Sequence, residues 1–281
     1  MKFKKLYNYS VLVPILVLLL SLGILINGYF QTGEWFKRSI ELKGGNLISF
    51  SPKTSIDVKA LEKSLLEFGS SSVREIHGFS GYRILIETEP EINTSLVLNT
   101  LKEKGIEADD ISIETIGPSL GESFWKQAQI GIILAFVFMG IIVFLIFRIF
   151  IPSLAVILAA VSDILCTLAF MQVFGITLSL AGLAALLMLI GYSIDTDILL
   201  TTRLLKSSTG KLEERLKNAF KTGLTMTGTT VAALSCLYIS SISPVLSQIA
   251  AILLIGLVLD LINTWLQNAV ILKWYCERKG L

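Results

Sequence analysis

The chain has 281 residues, 53% of them hydrophobic and only 16% charged, with a mean hydropathy of +0.72 and a net charge of +2. Soluble globular domains carry about 25% charged residues, so this composition excludes an ordinary soluble enzyme and points to an integral membrane protein. One histidine (His77) and three cysteines without CxxC spacing (Cys166, Cys236 and Cys276) make a metal or disulfide framework unexpected, and no cofactor is expected either.

The N-terminus, MKFKKLYNYS, is basic and runs into an apolar stretch from about 11 to 26. That pattern has the outline of a signal peptide, but the apolar run is too long and INGYFQTGEW offers no small-x-small cleavage site. An uncleaved first membrane helix is expected. Hydropathy predicts six spans of roughly 20 residues, at about 11–29, 127–148, 152–173, 177–200, 222–240 and 245–272. The implied organisation is 1–30 for the N-terminus and first span, 31–122 for a polar region, and 123–273 for spans two to six. A charged loop at 204–221 interrupts the bundle, and 274–281 forms a tail.

Lysine and arginine placement sets the expected orientation. Lys2, Lys4 and Lys5 precede span 1, Arg148 lies between spans 2 and 3, and Arg203, Lys206, Lys211, Arg215, Lys217 and Lys221 follow span 4. Lys273, Arg278 and Lys279 follow span 6, whereas the turns near Phe174–Ile176 and Ser240–Pro244 carry no Lys or Arg. Both termini are therefore expected in the cytoplasm of a cell-membrane protein, with 31–122 outside.

The polar region has 15 Asp and Glu against 10 Lys and Arg, which argues against nucleic-acid binding. NLISFS alternates as a strand does, and Ser55–Phe68 has helical spacing closed by Gly69. SVREIH and YRILIETE read as strands around HGFSG, with Gly78 and Gly81 suited to a hairpin. Ile92–Lys104 reads as a second helix and DISIETIG as a last strand. The order β-α-β-β-α-β predicts a ferredoxin-like α+β domain between membrane helices one and two of a polytopic α-helical protein. Asn93-Thr94-Ser95 is an N-x-[ST] sequon, and Asn93 is equally placed to cap the second helix.

Ionisable groups at membrane depth are expensive and are functional candidates for that reason. Asp163 lies about eleven residues into span 3, roughly 16 Å deep at 1.5 Å per residue. A carboxyl there is costly to ionise, which is what a proton carrier needs; structural glue between helices is the alternative. Asp195 and Asp197 come about 27 Å along span 4, near the cytoplasmic boundary and on opposite helix faces. Asp195 shares a face with Thr202, and Thr196 with Arg203. One aspartate could be solvated at the interface, and Arg203 could be an ordinary positive-inside anchor. Asp260 lies about two-thirds through span 6, followed by a polar stripe of Asn263, Gln267 and Asn268. Span 5 carries Thr222, Thr225, Thr227, Thr229 and Thr230 around Gly223 and Gly228, where close helix packing explains most of them.

Energy-coupling and catalytic motifs are missing. SSTGKLEE has Leu205 and Leu212 where a phosphate loop needs Gly and Ser/Thr, and neither G-x-S-x-G nor H-E-x-x-H occurs. An intramembrane aspartyl protease goes with G-x-G-D, against G-Y-S-I-D here. The chain is not expected to be an enzyme, so an ion gradient or a partner must supply its energy.

Four stretches, in order, resemble the SecF family of the resistance-nodulation-division superfamily. ELKGGN (Glu41–Asn46) is similar to its D-F-x-G-G element, and IGPSLG (Ile116–Gly121) to its G-P-S-V/L-G element. IGYSIDTDILLTTR (Ile190–Arg203) is similar to I-G-Y-S-x-N-D-[ST]-I-V-V-x-D-R, and TMTGTT (Thr225–Thr230) to T-x-[ST]-G-T-T. Asp195-Thr196 replaces the family's Asn-Asp, with Asp197 following, and Thr202 replaces the Asp before the Arg; these departures look like the archaeal version of the family. The resemblance implies that Asp163 matches the span 3 aspartate of the family's proton-coupling scheme and Arg203 the arginine closing span 4. Asp195 and Asp197 carry over less firmly. It also implies an accessory subunit of the Sec translocase, paired with SecD in a twelve-span unit and working beside the Sec channel on exported polypeptides in the lipid membrane. A stand-alone transporter of small molecules or lipids is the alternative.

Overall fold

Apolar runs without internal charge become helices because a chain in lipid must satisfy its backbone hydrogen bonds internally. Six helical stretches here are long and apolar enough to cross a membrane. The computed structural model describes residues 10–53, 56–65, 71–78, 81–206, 210–240 and 243–280. The spans are α1 (Leu12–Thr32), α5 (Pro118–Phe147), α6 (Phe150–Val173), α7 (Leu180–Leu205) and α8 (Leu212–Ser240). The sixth comprises α9 (Pro244–Ile262), a π-helical turn (Asn263–Asn268) and α10 (Ala269–Lys279). The second span begins nine residues before the hydropathy limit because Gly117 is extended and Pro118 occupies the first helical position, where its missing N–H costs nothing. Lys2, Lys4 and Lys5, the Phe68–Gly69 helix stop and the Phe79–Ser80 hairpin tip fall outside the described residues.

Between α1 and α5 lie a short helix α2 (Ile40–Lys43), strand β1 (Gly45–Pro52), helix α3 (Val58–Leu65), strands β2 (Ser71–Gly78) and β3 (Gly81–Thr88), helix α4 (Thr94–Glu103) and strand β4 (Ala108–Ile116). The strands form one sheet in the order β2-β3-β1-β4, antiparallel throughout. Ile48, Phe50, Val73, Ile84 and Ile86 on one sheet face meet Leu61 and Leu65 of α3 and Val97 and Leu101 of α4 in one buried core. Burying each such side chain stabilises by about 1.5–3 kcal/mol, which is why period-2 strands and period-3.6 helices were legible here. Asn93 caps α4 by accepting the Ser95 backbone N–H at 2.9 Å.

The joint between this region and the bundle combines close backbone contacts with a few side-chain hydrogen bonds. Gly44 and Gly45 have φ of +85° and +141°, values open to glycine and strained for other residues. A Cβ on Gly44 would lie 2.6 Å from the Pro118 Cα, and one on Gly121 would lie 2.5 Å from the Gly44 N. The glycines of ELKGGN and IGPSLG thus meet as one close contact between α2 and the start of α5. Asn46 completes it: its Nδ2 donates to the Glu89 and Ile92 carbonyls, and its Oδ1 accepts the Thr115 hydroxyl. On the other side, the Ser39 N–H donates to the Leu178 carbonyl and the Leu178 N–H to the Lys37 carbonyl. Glu41 receives the Leu180 N–H at 2.6 Å, and so sits at the amino end of α7, where negative charge is favoured.

Within the bundle, 67% of the apolar window of α6 is buried, against 22%, 17% and 11% for α1, α5 and α8. Helices α6, α7 and α9 therefore make the centre, while α1, α5 and α8 present apolar faces outward, including Leu19, Phe30, Ile133, Phe138 and Leu145. Gly256 brings α9 against Leu189 of α7, whose Cδ2 would lie 2.3 Å from an added Cβ. Gly121→Ala should cost about 1–3 kcal/mol, because a methyl there meets fixed backbone. Gly131→Ala, with nothing within 4 Å of the new methyl, should leave stability unchanged or raise it by up to about 1 kcal/mol. Thermal unfolding of the purified chain in detergent compares the two directly.

Candidate functional site: a buried carboxyl cluster

Three central helices each place an aspartate at their shared interior. Asp163 of α6, Asp197 of α7 and Asp260 of α9 are 1%, 0% and 0% exposed. Polar groups out of water must pair with one another, and the pairing here is dense around Asp163. Its Oδ2 accepts the Ser193 hydroxyl at 2.6 Å and its Oδ1 the Asn263 amide at 2.7 Å. Asp197 Oδ1 accepts the Asn268 amide at 2.7 Å and the Thr264 hydroxyl at 3.0 Å. Thr264 also lies 3.1 Å from Asp260 Oδ1, and Asp260 is close enough to Asp163 and Asp197 for their charges to interact. Among the described residues, the ion pairs all lie elsewhere.

The π-helical turn makes this possible. In an α-helix, residues four apart drift by about 40° around the axis, so Asp260, Thr264 and Asn268 would spread off one face. The wider turn at Asn263–Asn268 holds Thr264 and Asn268 toward Asp197 while Asn263 reaches Asp163. Isolated π turns inside α-helices are frequent at functional sites. The turn is braced from outside by α8: Gly223 lets Trp265 approach so closely that an added Cβ would lie 2.5 Å from its ring. Phe220 meets the same ring edge-on at 5.0 Å.

The other candidates separate from the cluster. Asp195 and Arg203 are exposed, and Thr202 is half-buried. The split between Asp195 and Asp197 follows from their opposite helix faces, but the depth count, which placed both at the cytoplasmic edge, does not anticipate complete burial of Asp197. Counting along one helix ignores what the next helix covers. Thr196 is buried and donates to its own helix at the Tyr192 carbonyl. Thr225 donates to the Lys221 carbonyl, and Thr229 and Thr230 to that of Met226; Thr227 is buried. These threonines of α8 join no carboxyl. The close packing expected around them falls on Gly223, while Gly228 faces open space. Ser193 and Thr264 are the site residues that the sequence did not single out. The available signal was the i, i+4 spacing of Asp260 and Thr264, which is common in any helix.

The sequence model described as "Protein export membrane protein SecD/SecF, C-terminal" matches residues 97–278. The chain belongs to the SecD/SecF family. It is 41% identical over 273 residues to the protein-export membrane protein SecF of Methanolacinia petrolearia, covering 96% of this chain and 94% of that one. The SecF of Pyrococcus furiosus is 38% identical over 273 residues, at 96% and 91% coverage, and that of Methanocaldococcus jannaschii 40% over 278, at 96% and 95%. Among solved structures, SecDF from Thermus thermophilus, described as a translocon-associated membrane protein, superposes with a TM-score of 0.77 at 21% identity. That match covers 99% of this chain but 39% of SecDF. A second SecDF structure, in a super-membrane-facing form, gives 0.65 at 22% identity, covering 98% of this chain and 38% of that one. At such identity the structural match concerns the fold.

Asn268→Leu removes one of two donors to Asp197 Oδ1, with Thr264 still donating to it, and should cost about 0.5–1.5 kcal/mol, the net worth of one hydrogen bond. Asp195→Asn, on the exposed face, should stay within about 0.5 kcal/mol of the parent. Thermal midpoints of the isolated chain in detergent measure both.

Proposed function

We propose that this protein is an accessory subunit of the Sec protein translocase that works with a SecD-type partner to promote export across the cell membrane, cycling in step with proton movement. The observation that carries the export role is the 41% identity, over 94% of its length, to a protein-export membrane protein SecF. A SecD-type partner is supported by the match to little more than a third of SecDF and by the apolar outer faces of α1, α5 and α8.

In this reading residues 31–122 form an extracytoplasmic domain. Its strand order and two one-sided helices fit a ferredoxin-like sandwich standing between the first and second of six spans, with both termini and the 204–221 loop in the cytoplasm. Residues 123–273 form the working bundle and 274–281 a tail. The Gly44–Gly121 joint and the strand-like contact at Leu178 couple the sheet to α5 and α7. A change of packing in the bundle centre therefore has a rigid route to the outer domain.

The proton role rests on Asp163, Asp197 and Asp260. Three carboxyls in one dry interior repel if all are ionised, so gaining or losing a proton changes how α6, α7 and α9 pack. In cells carrying the variant as their sole copy, Asp163→Asn should lower export of a secreted reporter severalfold while the complex with the SecD-type partner still co-purifies. Export at the parental rate would count against proton coupling through Asp163. Export that persists without any partner would favour the stand-alone transporter.

A further inference from the structure

Thr264 stands between two carboxyls with one hydrogen to give. Its Oγ1 lies 3.0 Å from Asp197 Oδ1 and 3.1 Å from Asp260 Oδ1, and all three residues are fully buried. A hydroxyl donates once and accepts through its lone pairs. Both contacts are therefore hydrogen bonds only when one carboxyl is protonated and donates to Thr264 while Thr264 donates to the other. Two carboxylates would leave one contact without a hydrogen, which is costly where water is absent.

The surroundings make this link the one that matters. Asp163 and Asp260 already lie close enough for their charges to interact, and Ser193 donates to Asp163. No hydrogen bond among the described residues joins Asp197 directly to either of them. Asn263 and Asn268 give their amide hydrogens to Asp163 and Asp197 at the two ends, and an amide does not pass protons on. The remaining oxygens Asp197 Oδ2 and Asp260 Oδ2 are buried without a partner, so the contacts through the two Oδ1 atoms carry the link.

Resting on the proton-coupled reading above, we propose that Thr264 is a proton relay that connects the Asp163–Asp260 pair of α6 and α9 to Asp197 of α7. The step balances without a co-reactant. The Asp260 carboxylic acid gives its proton to Thr264 Oγ1 as the Thr264 hydrogen passes to Asp197, leaving Asp260 a carboxylate, Asp197 an acid and Thr264 a neutral hydroxyl. The π-helical turn positions the relay, since Thr264 is its second residue.

The test uses the whole complex with its SecD-type partner, reconstituted in vesicles containing a pH-sensitive dye and given a pH gradient. Thr264→Val keeps the shape and removes the hydroxyl, and should slow proton flux on the order of a hundredfold, at the low end of what a positioned proton-transfer group contributes. Thr264→Ser restores the hydroxyl and should return flux to near the parental value. If the valine variant does not assemble, Thr264→Ala makes the same comparison without the β-branch. Parental flux in the hydroxyl-free variants while Asp163→Asn is blocked overturns the relay and leaves the coupling reading standing. Serine as slow as valine in an intact complex also overturns it, since packing would then be the cause. Parental flux in Asp163→Asn as well overturns the coupling reading and the relay together.

Discussion

Desolvation of polar groups at the centre of the bundle is the constraint on which the rest of this structure depends. Nothing in an apolar helix bundle rewards a carboxyl for leaving water, yet α6, α7 and α9 each bring one to the same interior. The arrangement persists because Ser193, Asn263, Thr264 and Asn268 point their hydrogens at those oxygens. Each of those donors comes from a different helix than the carboxyl it serves or, as with Thr264 and Asp260, from the π turn beside it. The helices are thus fixed to one another by their most expensive groups.

Glycine sets the geometry around that centre. Gly256 admits Leu189, Gly223 admits Trp265, and Gly121 admits the backbone of α2. These are three separate close approaches: α9 against α7, α8 against the π turn, and α5 against the backbone of α2 and Gly44. Small residues let helices approach where lipid offers no hydrophobic drive between them. Closeness also means that a shift in one helix moves its neighbour.

The elements between the first two spans were largely legible in the sequence because a small sheet with two helices on one face follows water-side rules. Alternation in NLISFS and YRILIETE and the helical spacing around Leu61 and Val97 each follow from burying one face against one core. The membrane spans were legible for the same reason in reverse, as unbroken apolar runs. The helices outrun them where Pro118 starts α5 above its apolar part and where α8 begins at Leu212, inside the stretch 204–221 expected as a charged loop. The site was less legible. Asp163 and Asp260 stood out as charges in apolar runs, but Asp197 sat next to Asp195 and looked equally superficial. Only the packing of the π turn against α7 separates a buried carboxyl from an exposed one two residues away.

By itself the sequence determined the membrane class, the six spans, the order of the strands and helices between the first two spans, and the family, since each depends on local pattern or on motifs read in order. The tertiary structure alone decided that ELKGGN and IGPSLG are two sides of one joint, that Thr225, Thr229 and Thr230 serve their own helix, and that Thr264 bridges two carboxyls. Those facts depend on which residues distant in the chain come within about 3 Å. A π turn adds to the difficulty, because it shifts every later side chain around the helix axis without leaving a mark in hydropathy.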